Sequence, residues 1–290
     1  NIAPPTDDAP TRLHIQQRGT LENLAIVADE RRPPGPHEIE IRVRASGLNF
    51  RDVLSALGLY PGEIERLGSD CAGEIIAMGS EVRGFGIGDR VVAMVSGAFA
   101  SHATTRWEFV APLPAQLDFE LGASIPTAYL TADITLNEIA GMKRGDRVLI
   151  HSGAGGVGMA AIALARRAGA EIFATAGSPD KRAVLARLGV QHVLDSRNPA
   201  FADEVMRITG GAGVNIVLNS LTGAMLDRSF EVLARDGVFL EIGKRNLWTH
   251  ERAAALDRGI RYHIVDCNDH ARDTPQIALR DWLSFGELDA

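Results

Sequence analysis

Three glycines in one short loop have the spacing that phosphate binding requires. Gly153, Gly155 and Gly158 form G-x-G-x-x-G, with Gly156 and Val157 between them, directly after an apolar run and before a helical pattern. In this motif the glycines permit a tight turn, close approach of the backbone to a pyrophosphate, and helix–strand packing. The N-terminus of the following helix attracts phosphates. The loop therefore predicts a dinucleotide site rather than an unliganded glycine-rich turn.

The residues after the second predicted strand indicate which dinucleotide is bound. An NAD site usually has Asp or Glu at that strand tip, where it binds the ribose 2′-hydroxyl. Here the strand ends ATAGS without an acid, and Ser178, Lys181 and Arg182 could hold a 2′-phosphate. Asp180 weakens this interpretation, and the alternative is that Lys181 and Arg182 are a solvated first helical turn. We predict NADP(H).

A lysine and a carboxylate follow the last two predicted strands. Lys244 comes after VFLEIG and Asp266 after YHIV, so both should lie at the rim of a parallel sheet, where ligands bind. A lysine in an apolar cleft beside a carboxylate can donate a proton. The alternative is a plain salt bridge at the strand ends.

Metal ligands are not clustered in the sequence. Cys71 stands alone, His37 precedes a predicted strand and His102 follows a turn, so no group has metal-ligand spacing. We therefore expect side-chain proton donors and no metal. The chain has two cysteines, Cys71 and Cys267, which favours a reducing, cytoplasmic setting.

The elements that must position these residues fall into two halves. Before about residue 125 the chain has short alternating strands broken by Gly and Pro, which predicts an antiparallel β-rich domain; the strands are 38–45, 74–78 and 90–95. After about residue 143 apolar runs alternate with helical patterns, which predicts an α/β, doubly wound Rossmann domain with a six-stranded parallel sheet. Its predicted strands are 147–151, 171–175, 191–194, 215–219, 238–242 and 261–265.

Composition excludes several classes of protein. The 290 residues carry 30 Lys plus Arg against 37 Asp plus Glu, a net charge of −7, which disfavours nucleic-acid binding. No apolar run is long enough to span a membrane. The start without Met and the abrupt end suggest a piece of a longer protein.

Several segments together resemble the enoylreductase domains of modular polyketide synthases, in the zinc-independent branch of the medium-chain dehydrogenase/reductase superfamily. They are GLNFRDVL, LGLYPG, IHSGAGGVGMAA, NSL and EIGK, which begin at residues 47, 57, 150, 219 and 241. The resemblance implies a GroES-like substrate domain over residues 1–125, completed in part by 268–290, and an NADP-binding domain over 126–267. It also implies that the end of the family's C-terminal segment is missing here.

The same resemblance implies a reaction and its partners. NADPH would deliver a hydride to the β-carbon of an enoyl thioester on an acyl carrier protein, and the α-carbon would then be protonated. Neighbouring synthase domains would be partners, and an exposed edge at the sixth strand could pair two copies as a homodimer.

The family's functional residues map onto matching positions of this chain. Lys244 and Asp266 match the pair proposed for proton delivery, and Tyr60 matches a tyrosine associated with a 2S configuration at an α-methyl centre. The remaining expected contacts are Asn49 and Asp52 along the substrate cleft, Thr131 at the nicotinamide amide, and Asn219, Leu221 and Gly243 at the cofactor.

The chain departs from the family pattern at two places. Asp70 stands where the family more often has Glu, and the aromatic pair that commonly follows Thr131-Ala132 is missing. Two other functions stay open at this point. One is a quinone or free-enal reductase of the same branch, and the other is a catalytically silent structural or docking domain.

Overall fold

The computed structural model describes residues 9–60, 62 and 66–266, which form two compact units that divide between Thr127 and Ala128. The segment 268–290, which the resemblance assigns to the substrate domain, lies outside the described residues, and so does Cys267. Within the described ranges no helix is long and apolar enough to cross a membrane.

The first unit is built on antiparallel strands. A five-stranded sheet has the order β6-β3-β4-β5-β7, and β1 and β2 form a separate pair. The strands are β1 Thr11–Ile15, β2 Leu24–Ala28, β3 Glu38–Gly47, β4 Asp70–Met78, β5 Arg90–Met94, β6 His102–Arg106 and β7 Val110–Pro112. The helices are α1 Phe50–Ala56 and α2 Phe119–Ala123, with 3₁₀ turns at Leu21–Asn23 and Trp107–Phe109.

Strand β3 shows why this half folds as a sheet. Ile39 and Ile41 are fully buried, whereas Arg42 and Arg44 are exposed, as the alternating pattern predicts. Glu40 departs from the pattern, because it is 3% exposed and its carboxylate accepts two hydrogen bonds from Arg31. The register also shifts near Glu40 and again before Ala45, so β3 is bulged.

The second unit has a parallel sheet covered by helices. Its strand order is β10-β9-β8-β11-β12-β13, which is the doubly wound order 3-2-1-4-5-6. The strands are β8 Arg147–Ile150, β9 Glu171–Ala176, β10 His192–Asp195, β11 Val214–Asn219, β12 Leu233–Glu241 and β13 Arg261–Ile264. Helix α3, Pro126–Asp133, begins two residues before the division between the units and is continued by a π-helix at Ile134–Ile139. The other helices are α4 Gly156–Ala168, α5 Pro179–Arg187, α6 Phe201–Ile208, α7 Ala224–Glu231 and α8 His250–Ala254.

The central strands are buried on both faces, as parallel strands between helices must be. Leu149, Phe173, Val217 and Phe239 are fully buried in one cluster with residues of α6 and α7. This arrangement confirms the predicted fold class, a six-stranded Rossmann sheet with a β-rich second unit. The largest differences from the predicted strands are at two starting points, since β4 begins at Asp70 rather than Glu74 and β12 at Leu233 rather than Val238.

Candidate active site

The glycine loop connects β8 to α4, and its backbone lies close to the backbone at the start of the helix. Ser152 takes the left-handed conformation at φ 52°, and the Gly153 amide donates to Thr175 O at 2.9 Å. A Cβ on Gly158 would lie 2.5 Å from Ser152 O and 2.6 Å from Gly153 Cα, so no larger residue fits there without moving the loop. The helix begins at Gly156 with the backbone of Gly155 as its N-cap. This loop has the form that binds a pyrophosphate.

His151 is the first residue after β8 and directly precedes the glycine loop. No role was predicted for it from the sequence. It is 3% exposed, with Nδ1 2.9 Å from Thr175 Oγ1 and Nε2 2.8 Å from Ser229 Oγ. Because Ser229 donates its own proton to Met225 O, His151 must donate from Nε2 and accept at Nδ1. Burial lowers the pKa of His151 to about 3, so the ring is neutral.

The three residues predicted to hold a 2′-phosphate follow β9 at the start of α5, but they are not equally available. The Ser178 hydroxyl caps α5 by accepting from Lys181 N, and Lys181 itself is exposed. Arg182 donates to Ala176 O at 3.1 Å and pairs with Asp195 at 3.2 Å. Arg182 is therefore committed to holding β9 against the end of β10.

Arg197 lies at the same strand tip and was not predicted from the sequence. It follows β10, and a Cβ on Gly177 would be only 2.9 Å from its Nε atom. Its side chain is exposed, unlike the half-buried Arg182. Only the pairing of β10 with β9 brings this arginine beside Gly177, 20 residues earlier in the chain.

Lys244 and Asp266 meet at the carboxyl edge of the sheet. Lys244 Nζ lies 3.1 Å from Asp266 Oδ2 and donates to Val265 O at 3.0 Å. The two side chains are 21% and 27% exposed, so the pair is sheltered but still reached by solvent. A proton held on Lys244 can therefore be lost to a bound molecule and replaced from water.

The other residues predicted to contact the cofactor in this half of the sheet form one network. Asn219 is fully buried, and its side chain bonds both the N–H and the C=O of Leu221, at 3.1 and 2.9 Å. It also donates to Glu241, which in turn accepts from Gly243 N. Burial raises the pKa of Glu241 to about 7, against the lowering effects of Asn219, Gly243 and Lys244.

Asn49 of the first unit is hydrogen-bonded to two buried carboxylates, those of Asp52 and Asp70. Asp52 is 4% exposed, and its two oxygens accept from Asn49 N at 3.0 Å and Gly68 N at 2.9 Å. Asn49 Nδ2 donates to Asp70 at 2.9 Å, and Thr127 Oγ1 also donates to Asp70. Burial raises the pKa of Asp70 to about 6. Asp52 therefore holds the start of α1 rather than presenting a free carboxylate.

Tyr60 and Thr131 are placed by different elements. Tyr60 is half-buried in the first unit, with the Arg51 guanidinium 5.5 Å from its ring centroid. Thr131 lies in α3 at 7% exposure, and its carbonyl accepts from Thr135 Oγ1 at 2.6 Å. In the described residues, no group of three or more His, Cys, Asp or Glu side chains is arranged to hold a metal ion.

Comparison with known proteins identifies the family. A model described as an alcohol dehydrogenase GroES-like domain matches residues 35–115, and one described as a zinc-binding dehydrogenase matches 156–259. Erythronolide synthase EryA2 of Saccharopolyspora erythraea is 44% identical over 288 residues, which cover 97% of this chain. The solved structure of CurK enoyl reductase is 39% identical with a TM-score of 0.89, covering 97% of this chain and 87% of that one.

The chain belongs to the enoyl reductase domains of polyketide synthases. A second curated relative, the mycocerosic acid synthase-like polyketide synthase of Mycobacterium tuberculosis, is 42% identical over 283 residues, 96% of this chain. The chain spans 13% of that relative and 8% of erythronolide synthase EryA2. The predicted resemblance to this family is thereby confirmed.

Oxidoreductases outside polyketide synthases also share the fold of this enoyl reductase. The Escherichia coli quinone oxidoreductase, solved in complex with NADPH, is 27% identical with a TM-score of 0.86, covering 94% of this chain and 87% of that one. The enoyl reductase is thus an oxidoreductase whose fold is shared with reductases of other substrates.

Proposed function

We propose that this enoyl reductase uses NADPH to reduce the α,β double bond of an enoyl thioester carried on an acyl carrier protein. The observation that carries the proposal is the Lys244–Asp266 pair, 3.1 Å apart beyond the carboxyl ends of β12 and β13. Ligands of doubly wound sheets bind at this edge. The sequence identity to polyketide synthases supports the substrate class.

The described residues fit a phosphorylated dinucleotide. Gly153, Gly155, Gly156, Val157 and Gly158 would hold the pyrophosphate, because they form the turn from β8 into the N-terminus of α4. Strand β9 does not itself end in an acid that could take a 2′-hydroxyl. Arg197 lies exposed beside Gly177, and Lys181 is exposed at the start of α5, whereas Arg182 is already paired with Asp195. The NADPH complex of the quinone oxidoreductase relative supports the same cofactor.

The reaction needs an electron-poor carbon that accepts the hydride and a proton for the resulting enolate. When bound, NADPH supplies the hydride, which adds to the β-carbon of the substrate. The thioester carbonyl draws electrons from the double bond, and negative charge collects on its oxygen in the transition state. Lys244 Nζ then gives its proton to the α-carbon, and Asp266 keeps the ammonium group oriented until that step. No metal is needed for these steps.

The remaining residues have proposed roles in orientation. Leu221, Gly243 and Thr131 would contact the nicotinamide half of NADPH, and Ser178 the adenosine half. Asn219 is fully buried and would act through the backbone of Leu221, which it holds. Asn49 and Asp52 would shape the substrate region, Asp52 by fixing the backbone at Gly68. Tyr60 would favour the 2S product where the α-carbon bears a methyl group. Neighbouring synthase domains are proposed partners, and the edge strand β13, where Ile264 is 42% exposed, is a proposed homodimer contact.

The test is oxidation of NADPH by a crotonyl thioester. Lys244→Ala and Asp266→Asn should each lower kcat by about 100-fold, the usual contribution of a positioned proton donor, while NADPH binding stays within about twofold. Full turnover in both variants would remove the proposed proton donors. A quinone reduced faster than the thioester would instead favour the quinone reductase alternative, which is consistent with the fold similarity to quinone oxidoreductases. NADPH binding without turnover of any enoyl thioester would favour a silent domain.

A further inference from the structure

Glu241 is a buried carboxylate at the carboxyl end of β12 that the proposed chemistry does not use. It is fully buried, one strand away from the end of β11 and three residues before Lys244. Charged residues are almost never fully buried without compensating contacts. The contacts of this carboxylate therefore indicate what it does.

Each carboxylate oxygen of Glu241 holds a different loop. Oε2 accepts from Asn219 Nδ2 at 2.7 Å, and Oε1 accepts from Gly243 N at 2.7 Å. Asn219 passes the connection on, because its amide donates to Leu221 O at 2.9 Å and accepts from Leu221 N at 3.1 Å. One side chain thus fixes both the loop after β11 and the turn that precedes Lys244.

The network extends to the two neighbouring loops at this edge. Lys244 Nζ donates to Val265 O after β13, and Ser220 Oγ lies 2.9 Å from Ser152 Oγ at the start of the glycine loop. Loops after four strands are therefore linked by hydrogen bonds, and Glu241 joins the two central ones. This half of a doubly wound sheet is the half that faces the nicotinamide of a dinucleotide.

A carboxylate is the group that these partners require. Both oxygens of Glu241 face N–H donors, so a glutamine would bring its own NH₂ against one of them and leave that donor unpaired. Burial works against the charge and raises the pKa of Glu241 to about 7, while Lys244 acts in the opposite direction. Replacing buried ionic groups by apolar ones is often neutral for stability, so fold stability alone is a weak reason for a carboxylate here.

We propose that Glu241 is a positioning residue for the nicotinamide half of the cofactor, acting by fixing the Asn219–Leu221 loop and the Gly243–Lys244 turn. The inference rests on the proposed function in naming NADPH as the ligand. It goes beyond that function by assigning cofactor orientation to a residue that touches neither the cofactor nor the substrate.

The experiment compares two ligands that share the adenosine half of the cofactor. Binding of NADPH and of 2′,5′-ADP is measured by calorimetry for the wild type and Glu241→Gln. We expect NADPH to bind about tenfold more weakly to the variant, the effect of one unpaired buried hydrogen bond, and 2′,5′-ADP to bind within about twofold of the wild type. The KM for NADPH should rise while the KM for a crotonyl thioester stays unchanged.

Glu171→Gln is the matched control, because Glu171 lies in the same unit and also bonds two partners, Arg147 and His192, but is 38% exposed at the start of β9. It should bind both ligands as the wild type does. If Glu241→Gln fails to fold, Glu241→Asp replaces it, since its shorter side chain cannot bridge both donors, and the same selective loss is expected.

Unchanged NADPH binding, or an equal loss for both ligands, would overturn the positioning role. The first outcome would mean that the loops keep their geometry without the carboxylate, and the second that Glu241 only supports the fold. If the wild type binds NADPH tightly but reduces no enoyl thioester, the proposed function alone is wrong. The selective loss of NADPH binding in Glu241→Gln would still decide the positioning role.

Discussion

At the scale of single residues, cations that lie near the same strand end differ in whether they are already paired with another group. Arg182 and Arg197 are both cations near the tip of β9, but Arg182 is held by Ala176 O and Asp195, whereas Arg197 is exposed beside Gly177. A guanidinium already paired with a carboxylate has less charge to offer a phosphate. The contribution to cofactor preference should therefore differ between the two.

Arg197→Ala should raise the KM for NADPH by about tenfold and leave the KM for NADH unchanged, because only NADPH carries the 2′-phosphate. Steady-state rates with each cofactor measure this. Arg182→Ala should have the smaller effect on preference, and Arg187→Ala, at the exposed far end of α5, should have none. An equal rise in KM for both cofactors in Arg197→Ala would contradict the assignment.

His151 should make stability fall with acid. Its folded pKa of about 3 lies below the ordinary histidine value of 6.5, so the unfolded chain takes up the proton first. This contribution is present above pH 6.5 and is lost as the pH falls from 6.5 towards 3, with a slope of up to about 1.4 kcal/mol per pH unit.

Urea unfolding of the wild type and His151→Gln at pH 7, 6 and 5 isolates this effect, because Asp70 and Glu241 titrate in both proteins. The difference in free energy of unfolding between the two should shrink as the pH falls. A difference that does not change with pH would mean that His151 is not held neutral.

At the scale of elements, the turn between β8 and α4 depends on atoms that the motif does not mention. The Gly158 Cα faces Ser152 O and Gly153, so the start of α4 is pressed against the end of β8. Gly156, two residues earlier, faces only Ala128 Cβ at 3.8 Å, which is an ordinary contact. Close packing therefore requires a glycine at position 158 but not at position 156.

Gly158→Ala should lower the free energy of unfolding by about 2 kcal/mol or more, because its Cβ would press on backbone that cannot move cheaply. Gly156→Ala is the control and should leave stability unchanged or slightly raised, since Ala is the better helix former. Thermal unfolding without cofactor measures both. Equal stability of the two variants would show that the loop has room at position 158.

At the scale of the whole molecule, the chain is acidic and several of its exposed arginines are paired with acids. The chain has a net charge of −7, and on the first unit Arg31 pairs with Glu40, Arg32 with Glu38 and Arg44 with Glu74. These pairs reduce the positive charge that this part of the first unit offers to an acidic partner, with Arg42 left exposed beside them. Attraction of an acidic carrier protein by long-range charge is therefore weak there.

The kcat/KM for an enoyl thioester on an acidic carrier protein should stay the same or rise slightly between low and high salt, because screening removes net repulsion rather than attraction. The same thioester on free pantetheine serves as the neutral control and should show no salt dependence. A steep fall with salt for the carrier-linked substrate alone would reveal a basic docking surface.

The sequence by itself determined the fold class, the family and the glycine loop. Periodic burial and loop composition are local properties, so β3 and the six parallel strands could be predicted from the chain alone, apart from ends such as Asp70, where the alternation is weak. Lys244 and Asp266 each follow a predicted parallel strand in the sequence. They were therefore predicted to lie at the same edge of the sheet, since the carboxyl ends of parallel strands meet there.

Only the tertiary structure decided which side chains are free and which are already bound. Arg197 reaches Gly177 because β10 pairs with β9, Arg182 is taken up by Asp195, and Asp52 is used by the backbone at Gly68. Glu241 becomes the link between two loops through contacts to Asn219 and Gly243. The physical reason is that hydrogen bonds and burial depend on distances between segments far apart in the chain. Residue types and their spacing along the sequence do not specify those distances.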